Sequence, residues 1–503
     1  MKNLKIYFTS DMHGFVYPTD YTDKTFKNIG MLNVINSFKK DPNTLIIDCG
    51  DTIQGSPFTT YLSKSKFESH PIGEVLNSGS YDYITLGNHD FNYGFDYLKK
   101  YLNTFKGSCL LANIKDKTGT LPIKPYDIKV LPNGLKIGLI GLTTEYINVW
   151  ENPKNIESFE ISDPFESAKK YSNLLKDKVD VLIGFYHGGF EKDIETKKTL
   201  STTKENVAYR ISEELDFDIL LTGHQHLPIE GSLINDTYVV QTPQHGKKFI
   251  ELNLKLENGV KEIESSLKEP VSSPKKDIFD KLLPLENKIQ SWLDEPVGFL
   301  DIPLNKASHL DMALKGSYLA NFINQVQLEV SKADVSCTSF ANSIKGFNKD
   351  VTVRDIVSTY VYPNTLVVYE IDGLTLKKGL LRSSNYLTKD NDKVVISDSF
   401  LKPKTEHYNY DYFSNIEYEF DLNKTGLDRI SKLEFKGEAL KDTDKITLVM
   451  NNYRASGAGG YDFYSGSKTV KEILIEMPEI IIEYFSKHKN VKVDKSKYYN
   501  IKL

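Results

Sequence analysis

The chain has 503 residues, a length that predicts two or three domains rather than a single hydrophobic core. A hydrophobic content of 40% with 12% aromatic residues excludes a disordered chain. The 63 Lys and Arg residues against 68 Asp and Glu give a net charge of −5, which argues against a nucleic-acid polymer as the main partner. No apolar run reaches the ~18 residues that a membrane-spanning helix needs, so we expect no membrane association.

The cysteines and the first residues bear on the cellular compartment. Cys49, Cys109 and Cys337 lie far apart without CxxC spacing, so neither a disulfide framework nor a thiolate metal site is expected. Met1 leads almost directly into the strand-like LKIYFTS, which leaves no room for a signal peptide. We therefore expect a cytoplasmic protein. If the sequence starts at a mature N-terminus, an extracellular or cell-surface location remains open.

The first half of the chain alternates short apolar runs with helical patterns. Helical patterns occur at 164–178 and 204–215, and such alternation predicts an α/β core. After Tyr238, the stretches VVQTP and FIELNLKLENGVKEI alternate in polarity and predict an antiparallel end to this domain. The strand-like runs are LKIYF (4–8), TLIID (44–48), YDYITL (81–86), LKIGLIGL (135–142), VDVLIGF (179–185) and FDILLTG (217–223).

Residues 1–270 are predicted to form the first domain. The stretch IFDKLLPLENKIQSWL has a helical period, so residues 271–296 are predicted to be a helical linker. Residues 297–503 are predicted to form a second, α+β domain. Its clearest elements are a helix at 317–330 and strands at 364–371 and 445–452.

Most of the strand-like runs lead directly into side chains that can bind a metal. Ligand sites in α/β sheets lie beyond the carboxyl ends of the strands, so these loops are expected to converge on one rim. Oxygen ligands mixed with imidazoles suit Mn, Zn or Fe, and there are more groups than one ion needs. The sequence therefore predicts two divalent metal ions bridged by one carboxylate. The seven candidate ligands are Asp11, His13, Asp51, Asn88, His187, His224 and His226, and His89 lies next to Asn88 in the same loop.

Each of these residues also has a simpler explanation when it is taken alone. An Asp after a strand is often a turn residue or a helix cap, and a His-x-His pair can lie in an exposed loop. The ordered set is what favours a metal site. The remaining histidines are expected to be surface or hydrogen-bonding residues: His70, His245, His309, His407 and His488.

The ordered blocks SDMHG, DCGDTIQGSP, LGNHDF, GFYHGG and GHQH resemble those of the calcineurin-like metallophosphoesterases. The whole chain looks like the two-domain 5′-nucleotidase family, whose second domain binds the nucleoside. This resemblance implies an α/β domain built on a two-layered β-sandwich flanked by helices, followed by an α+β nucleotide-binding domain. By motif position, one metal would be held by Asp11, His13 and His226, and the other by Asn88, His187 and His224. Asp51 would bridge them, and His89 would be the catalytic histidine beside the phosphate.

One departure from the family pattern suggests a branch. In 5′-nucleotidases an Asp stands three residues after the catalytic histidine, and here that position is Asn92. A neutral partner accepts a hydrogen bond but does not favour an imidazolium. The GNHDFNYG block resembles the bifunctional 2′,3′-cyclic-nucleotide 2′-phosphodiesterase/3′-nucleotidases. The stretches VRDIVSTYVYPNTLVV (353–368), HYNYDYFSNIEYEFDL (407–422) and NNYRASGAGGYDFY (451–464) resemble the same branch.

The resemblance also implies a clamp for the nucleobase, made of Tyr362 and Tyr461. Tyr362 precedes Pro363, where an extended backbone and a turn are expected. Tyr461 follows a Gly-rich loop whose backbone can approach a ligand closely. Stacking on such rings contributes ~1–3 kcal/mol per base and tolerates any base. Phe463 and Tyr464 are alternatives for the second ring.

Other candidate substrate contacts lie on either side of this clamp. The 5′-nucleotidases carry an Asn-Gly-Gly-x-Arg segment where this chain reads FANSIKG, so Asn342 and Lys345 are the corresponding candidates. A Lys there provides a point charge instead of the bidentate fork of an Arg. Arg454 and Asn452 flank the Gly-rich loop, where they are candidates for contacts with sugar or phosphate.

The predicted activity is a hydrolysis of phosphate esters. Such esters are anionic and repel hydroxide, and a hydroxide bridging two cations removes that barrier. We expect the protein to open 2′,3′-cyclic nucleotides and then to remove the 3′-phosphate, with His89 donating a proton. The alternatives are a 5′-nucleotidase or related nucleotide or UDP-sugar hydrolase, and a non-catalytic nucleotide-binding protein.

Overall fold

The structure is a computed structural model that describes residues 2–200, 204–362, 364–391, 393–402, 404–473 and 475–503. The chain divides into two compact units, Met1–Gln290 and Ser291–Leu503. The division falls within the helix Lys276–Leu293, in the stretch that the sequence predicts to be a linker helix. Among the described residues, no helix is both long and apolar enough to cross a membrane.

The first unit is built on two β-sheets that pack face to face. Ile6, Phe8 and Ile47 of one sheet share a buried core with Leu139 and Ile183 of the other, so the predicted two-layered sandwich is confirmed. In the seven-stranded sheet the order is Val260–Lys268, Phe249–Glu257, Lys2–Thr9, Thr44–Asp48, Tyr83–Ile84, Ser108–Leu110 and Ile123–Lys124. In the six-stranded sheet the order is Ile229–Ile234, Thr237–Gln241, Ile219–Thr222, Val181–His187, Lys136–Thr143 and Tyr126–Val130. A small pair joins Ile114–Asp116 to Phe159–Ile161.

Helices flank this sandwich, and several begin with a residue whose side chain caps the first backbone amides of the helix. Asp163 accepts hydrogen bonds from the amides of Phe165 and Glu166, and Pro164 occupies the first helical position. The helices are Met31–Ser37, Pro57–Ser63, Pro71–Ser78, Phe95–Thr104, Ile147–Trp150, Pro153–Ile156, Pro164–Leu175, Ala208–Glu214 and Lys276–Leu293, with a 3₁₀ turn at Asn88–Phe91.

The strands that precede the candidate ligands are parallel within each sheet. Lys2–Thr9, Thr44–Asp48 and Tyr83–Ile84 run in one direction, and Val181–His187 and Ile219–Thr222 are parallel in the other sheet. Parallel strands end at the same edge, so the loops after them in each sheet leave from one rim.

Two sequence predictions differ from the structure in detail. The predicted strand at 81–86 is only Tyr83–Ile84, because the chain then turns into the Gly87 loop. The predicted antiparallel end is confirmed for Phe249–Glu257, which pairs antiparallel with both of its neighbours. Thr237–Gln241 instead pairs parallel with Ile219–Thr222, and it is antiparallel only to Ile229–Ile234.

The second unit combines smaller sheets with helices around one aromatic-rich core. Its five-stranded sheet has the order Tyr412–Ser414, Val335–Thr338, Lys445–Asn451, Leu366–Asp372 and Lys468–Ile473. The four-stranded sheet has the order Glu438–Ala439, Ile430–Phe435, Glu417–Asp421 and Tyr499–Lys502. The shorter sheets are Asp350–Thr352, Pro296–Leu300 and Asn490–Val491; Leu304–Asn305 and Gly346–Phe347; and Leu387–Asp390 and Lys393–Ile396. The helices are His309–Lys315, Tyr318–Ser331, Val353–Thr359, Gly373–Ser384, Asn452–Ala455 and Met477–His488, with 3₁₀ turns at Asp398–Phe400, His407–Asn409, Gly426–Arg429 and Asp462–Tyr464.

Candidate functional site

Two groups of metal-competent side chains meet at the rim of the first unit. Within each group the ligand atoms lie within 4.8 Å of one another. The Oδ1 atom of Asn88 lies 3.0 Å from Nδ1 of His224 and so adds an oxygen to the second group. The structure thus brings together all seven predicted ligands. The first group is Asp11, His13 and His226, and the second is Asp51, His187 and His224.

The first group is compact and almost enclosed. Nε2 of His226 lies 3.2 Å from Oδ1 of Asp11 and 3.2 Å from Nε2 of His13. The Nδ1 atom of His13 faces the carbonyl of Gln54 at 3.1 Å, which favours the tautomer with the proton on Nδ1 and a lone pair on Nε2. Burial lowers the pKa of His13 to about 4, so its ring is neutral near pH 7.

In the second group too, a backbone carbonyl orients an imidazole ring. Nδ1 of His187 faces the carbonyl of Cys49 at 2.7 Å. Nε2 of His187 is buried, and among the described residues its one polar neighbour is Oδ2 of Asp51, at 3.1 Å. A buried ring nitrogen left in this way fits a metal ligand. The donor set of both groups therefore fits divalent cations.

Asp51 belongs to the second group and also faces the first. Its Oδ2 atom is 3.1 Å from Nε2 of His187 and 3.9 Å from Nε2 of His13. Burial would raise the pKa of Asp51, but the nearby His187 and His89 outweigh it and hold this pKa well below its usual range. Burial would lower the pKa of His187, and the carboxylate of Asp51 raises it to about 10. This position is the one that a bridging carboxylate requires.

The backbone at the candidate ligands is unusual. Asp11, His13, Asp51, His224 and His226 all have positive φ, between 48° and 72°. This left-handed region disfavours residues with a side chain. The strained turns lie directly after strands and direct these side chains toward one another.

Asp90, for which the sequence predicts no role, anchors the loops. Its carboxylate accepts backbone hydrogen bonds from Asp51 at 2.9 Å, Thr52 at 2.8 Å, Ile53 at 2.9 Å and Gly87 at 2.8 Å. Burial and the charge of Asp51 raise the pKa of Asp90 to about 6. The one sequence signal for Asp90 is its position directly after the histidine in GNHD.

His89 is held beside Asp51 and Asn92. Its backbone amide donates to Oδ1 of Asp51 at 2.7 Å, and its Nδ1 atom lies 2.9 Å from Oδ1 of Asn92. The Asn92 amide nitrogen in turn donates to Glu151. The partially exposed ring of His89 lies 5.5 Å from that of His13, measured between ring centroids.

Two further residues near His224 were missed from the sequence. Oε1 of Glu205 lies 2.9 Å from Nε2 of His224, which favours a proton on Nε2 and a lone pair on Nδ1, toward Asn88. The ring of Trp150 stacks on His224 at 5.5 Å with an interplanar angle of 18°. Neither residue lies in a recognisable motif.

The candidate substrate residues of the second unit are in diverse surroundings. Tyr362 is 37% exposed, and Pro363 lies outside the described residues. Nδ2 of Asn342 donates to the carbonyl of Thr405 at 2.7 Å, and Nζ of Lys345 lies 3.4 Å from Oδ1 of Asp355. Oδ1 of Asn452 accepts from the amide of Thr365. Tyr362 is thus partly exposed, whereas Asn342, Lys345 and Asn452 already have protein partners.

Tyr461 and Arg454, both predicted as substrate contacts, lie inside the core. Tyr461 is 0% and Arg454 is 1% exposed. Arg454 pairs with Asp411 at 2.8 Å, and its guanidinium lies 3.9 Å from the centre of the Tyr461 ring. Neither side chain presents a surface to a ligand in this conformation. Of the two alternatives for the second ring, Tyr464 is also 0% exposed, whereas Phe463 is partly exposed.

Known protein families match both units. The calcineurin-like phosphoesterase family matches residues 4–228. The 5′-nucleotidase C-terminal domain family matches residues 296–466.

Individual proteins match along nearly the whole chain. A crystal structure from Staphylococcus aureus, provisionally named a 5′-nucleotidase and solved with α-ketoglutarate, is 31% identical; the match covers 100% of both chains, with a TM-score of 0.92. The 2′,3′-cyclic-nucleotide 2′-phosphodiesterase/3′-nucleotidase of Yersinia enterocolitica is 25% identical over 90% of this chain and 80% of its own length. The trifunctional nucleotide phosphoesterase YfkN of Bacillus subtilis is 26% identical over 97% of this chain, which spans only 38% of YfkN.

Proposed function

Because the chain belongs to the calcineurin-like phosphoesterases that carry a 5′-nucleotidase C-terminal domain, we propose that it is a metal-dependent nucleotide phosphohydrolase. Its proposed substrates are 2′,3′-cyclic nucleotides, which it opens, and the resulting 3′-nucleotides, from which it removes the phosphate. The Yersinia relative of that name supports this choice, as does Asn92 in the GNHDFNYG block.

One observation carries the proposal. The buried carboxylate of Asp51 faces imidazoles of both groups, and it accepts a hydrogen bond from the backbone amide of the partially exposed His89. Structural zinc sites and hydrogen-bonded cores do not need two such groups around one carboxylate. Two divalent ions bound there would neutralise phosphoryl oxygens and lower the pKa of a water toward neutrality.

The residues of the chain supply the rest of the chemistry. Asp51 fixes the position of His89 through the 2.7 Å backbone hydrogen bond. The His89 ring can then donate a proton to a phosphoryl oxygen or to the departing ribose oxygen. With a 2′,3′-cyclic ester, a water oxygen bonds to phosphorus, the bond from phosphorus to the 2′-oxygen breaks, and the 2′-oxygen takes up a proton, which leaves a 3′-monoester. A second round breaks the bond to the 3′-oxygen and releases inorganic phosphate and a nucleoside.

Recognition of the base is proposed for the second unit. Tyr362 is exposed and can stack on a base, and Phe463 replaces Tyr461 as the candidate for the second ring because Tyr461 is buried. Arg454 has the role of a core ion pair with Asp411 rather than a phosphate contact.

A second candidate function is 5′-nucleotidase activity, since the Staphylococcus aureus structure with that provisional name matches the chain over its full length. One assay separates the two. The purified protein with Mn²⁺ is expected to release phosphate from 3′-AMP, and to convert 2′,3′-cyclic AMP to 3′-AMP, and a chelator should abolish both reactions. Equal or faster turnover of 5′-AMP would favour the second candidate. Failure to hydrolyse any nucleotide with any divalent ion would contradict both.

A further inference from the structure

Glu151 is connected to His89 through the side chain of Asn92. The amide nitrogen of Asn92 donates to Oε2 of Glu151, and the amide oxygen of Asn92 faces Nδ1 of His89 at 2.9 Å. Glu151 follows the helix Ile147–Trp150 and lies 59 residues from Asn92 in the sequence. The contact is therefore formed by the tertiary fold and not by neighbouring residues in the chain.

The carboxylate of Glu151 is itself fixed in place. Its Oε1 atom accepts the backbone amide of Asn152 at 2.7 Å and the side-chain amide of Asn155 at 2.9 Å. The same Asn155 nitrogen donates to the backbone carbonyl of Asn92 at 2.9 Å. Burial raises the pKa of Glu151, and the hydrogen bonds from Asn155, Asn152 and Asn92 counteract this rise by stabilising the carboxylate.

The direction of these hydrogen bonds matters for His89. An ionised carboxylate only accepts, so Asn92 must turn its NH₂ group toward Glu151 and its oxygen toward His89. Nδ1 of His89 must then be the donor. With an Asn92 flipped the other way, two donors would face each other whenever Nδ1 carried a proton.

We propose that Glu151 is a positioning residue for His89: it sets the orientation of the Asn92 amide, so that the Asn92 oxygen accepts from the Nδ1–H of His89. Nε2 is then the nitrogen that takes up a proton from solvent and passes it to the departing oxygen. The inference rests on the proposed function, since it assumes that His89 serves the departing oxygen. In this chain, Asn92, whose amide is hydrogen-bonded to the carboxylate of Glu151, occupies the position where 5′-nucleotidases have an Asp.

The first test is Glu151→Gln, with Glu157→Gln as the matched control. Glu157 is exposed and undergoes the same change of charge six residues away. For 3′-AMP, whose ribose oxygen needs a proton to depart, kcat should fall ~10–100-fold, with KM and bound metal unchanged. For p-nitrophenyl phosphate, whose phenolate departs without a proton, kcat should fall by less than about threefold. The control should match the wild type on both substrates.

The second test exchanges the two groups in the variant Asn92→Asp/Glu151→Gln. The new Asp accepts hydrogen bonds from both His89 and the new Gln, so an oxygen acceptor again faces Nδ1 of His89. Most of the lost kcat for 3′-AMP should therefore be restored. In the metal-free wild type, the ring ¹⁵N shifts of His89, assigned with His89→Asn, should show the proton on Nδ1. Glu151→Gln should move it partly to Nε2, and the exchange should restore it.

Three results would overturn the proposal: wild-type kcat in Glu151→Gln, an equal loss on both substrates, or no recovery in the exchanged variant. A wild type that hydrolyses no nucleotide would instead contradict the proposed function. The ¹⁵N measurement would in that case still decide whether Glu151 sets the tautomer.

Discussion

Replacement of Asp51 by Asn tests the two-metal site most directly. The change keeps the shape of the side chain and the acceptor for the His89 amide, but it removes the negative charge between the two groups. The nitrogens of His187 and His13 lie 3.1 Å and 3.9 Å from Oδ2 of Asp51. At ~4 Å and an effective dielectric constant of ~20, one unit charge contributes ~4 kcal/mol for each unit charge of the cation. Since ~1.4 kcal/mol is tenfold, metal affinity and turnover should fall by at least ~10³-fold.

The assay is a Mn²⁺ titration of phosphate release from 3′-AMP, combined with the metal content of the dialysed protein. Asp177→Asn is the matched control, because Asp177 is exposed and undergoes the same chemical change. His89→Asn should keep both metals and lose ~10²–10⁴-fold in kcat. The reasoning would be refuted if Asp51→Asn retained two metal equivalents and turned over within tenfold of the wild type.

Tyr362→Ala should raise KM for 3′-AMP by ~5–150-fold, from ~1–3 kcal/mol of lost stacking, and leave KM for bis-p-nitrophenyl phosphate unaffected. Equal effects on both substrates, or the same effect in the exposed control Tyr318→Ala, would argue against a base clamp. Mn²⁺ at ~100 times its Kd should stabilise the first unit by ~2.7 kcal/mol per site, so the thermal midpoint should rise with metal and return to its starting value with a chelator. His70 is buried among Phe67, Tyr97 and Tyr101, and burial lowers its pKa to about 3 from the 6.5 expected when unfolded. Its contribution to stability is therefore fully present above pH 6.5 and is lost as the pH falls toward 3, by ~3 kcal/mol at pH ~4.5. Urea unfolding at pH 7 and 4.5 should show a smaller loss of stability for His70→Phe than for the wild type, and equal losses would contradict the assignment.

Much of the first unit could be predicted from the sequence because buried parallel strands appear as short apolar runs. The run at 44–48 is the strand Thr44–Asp48, and the ligand candidates follow such runs directly. Since parallel strands end at one edge, the convergence of these loops needed no tertiary information beyond strand direction.

The supporting residues could not be predicted in the same way. Glu151 and Glu205 act through hydrogen bonds to residues 59 and 19 positions away, and no local pattern marks an acidic residue for such a contact. The sequence also did not indicate which aromatic residues after the Gly-rich loop are buried. Gly459 has a φ of 75°, and a Cβ there would lie 2.6 Å from Nη1 of Arg454, so the loop folds closely over Arg454. Tyr461 follows this loop and is buried, whereas Phe463 is partly exposed.

The backbone of the candidate ligands supports the metal interpretation independently of their donor atoms. Five of them have φ between 48° and 72°, where Gly is the least strained residue. A residue with a side chain held in such a conformation costs on the order of 1–3 kcal/mol. If stability alone determined these positions, Gly would serve better at Asp11, His13, Asp51, His224 and His226. Strain at five positions that all point their side chains into two adjoining groups is best explained by a requirement for those side chains together, and a shared pair of cations is such a requirement.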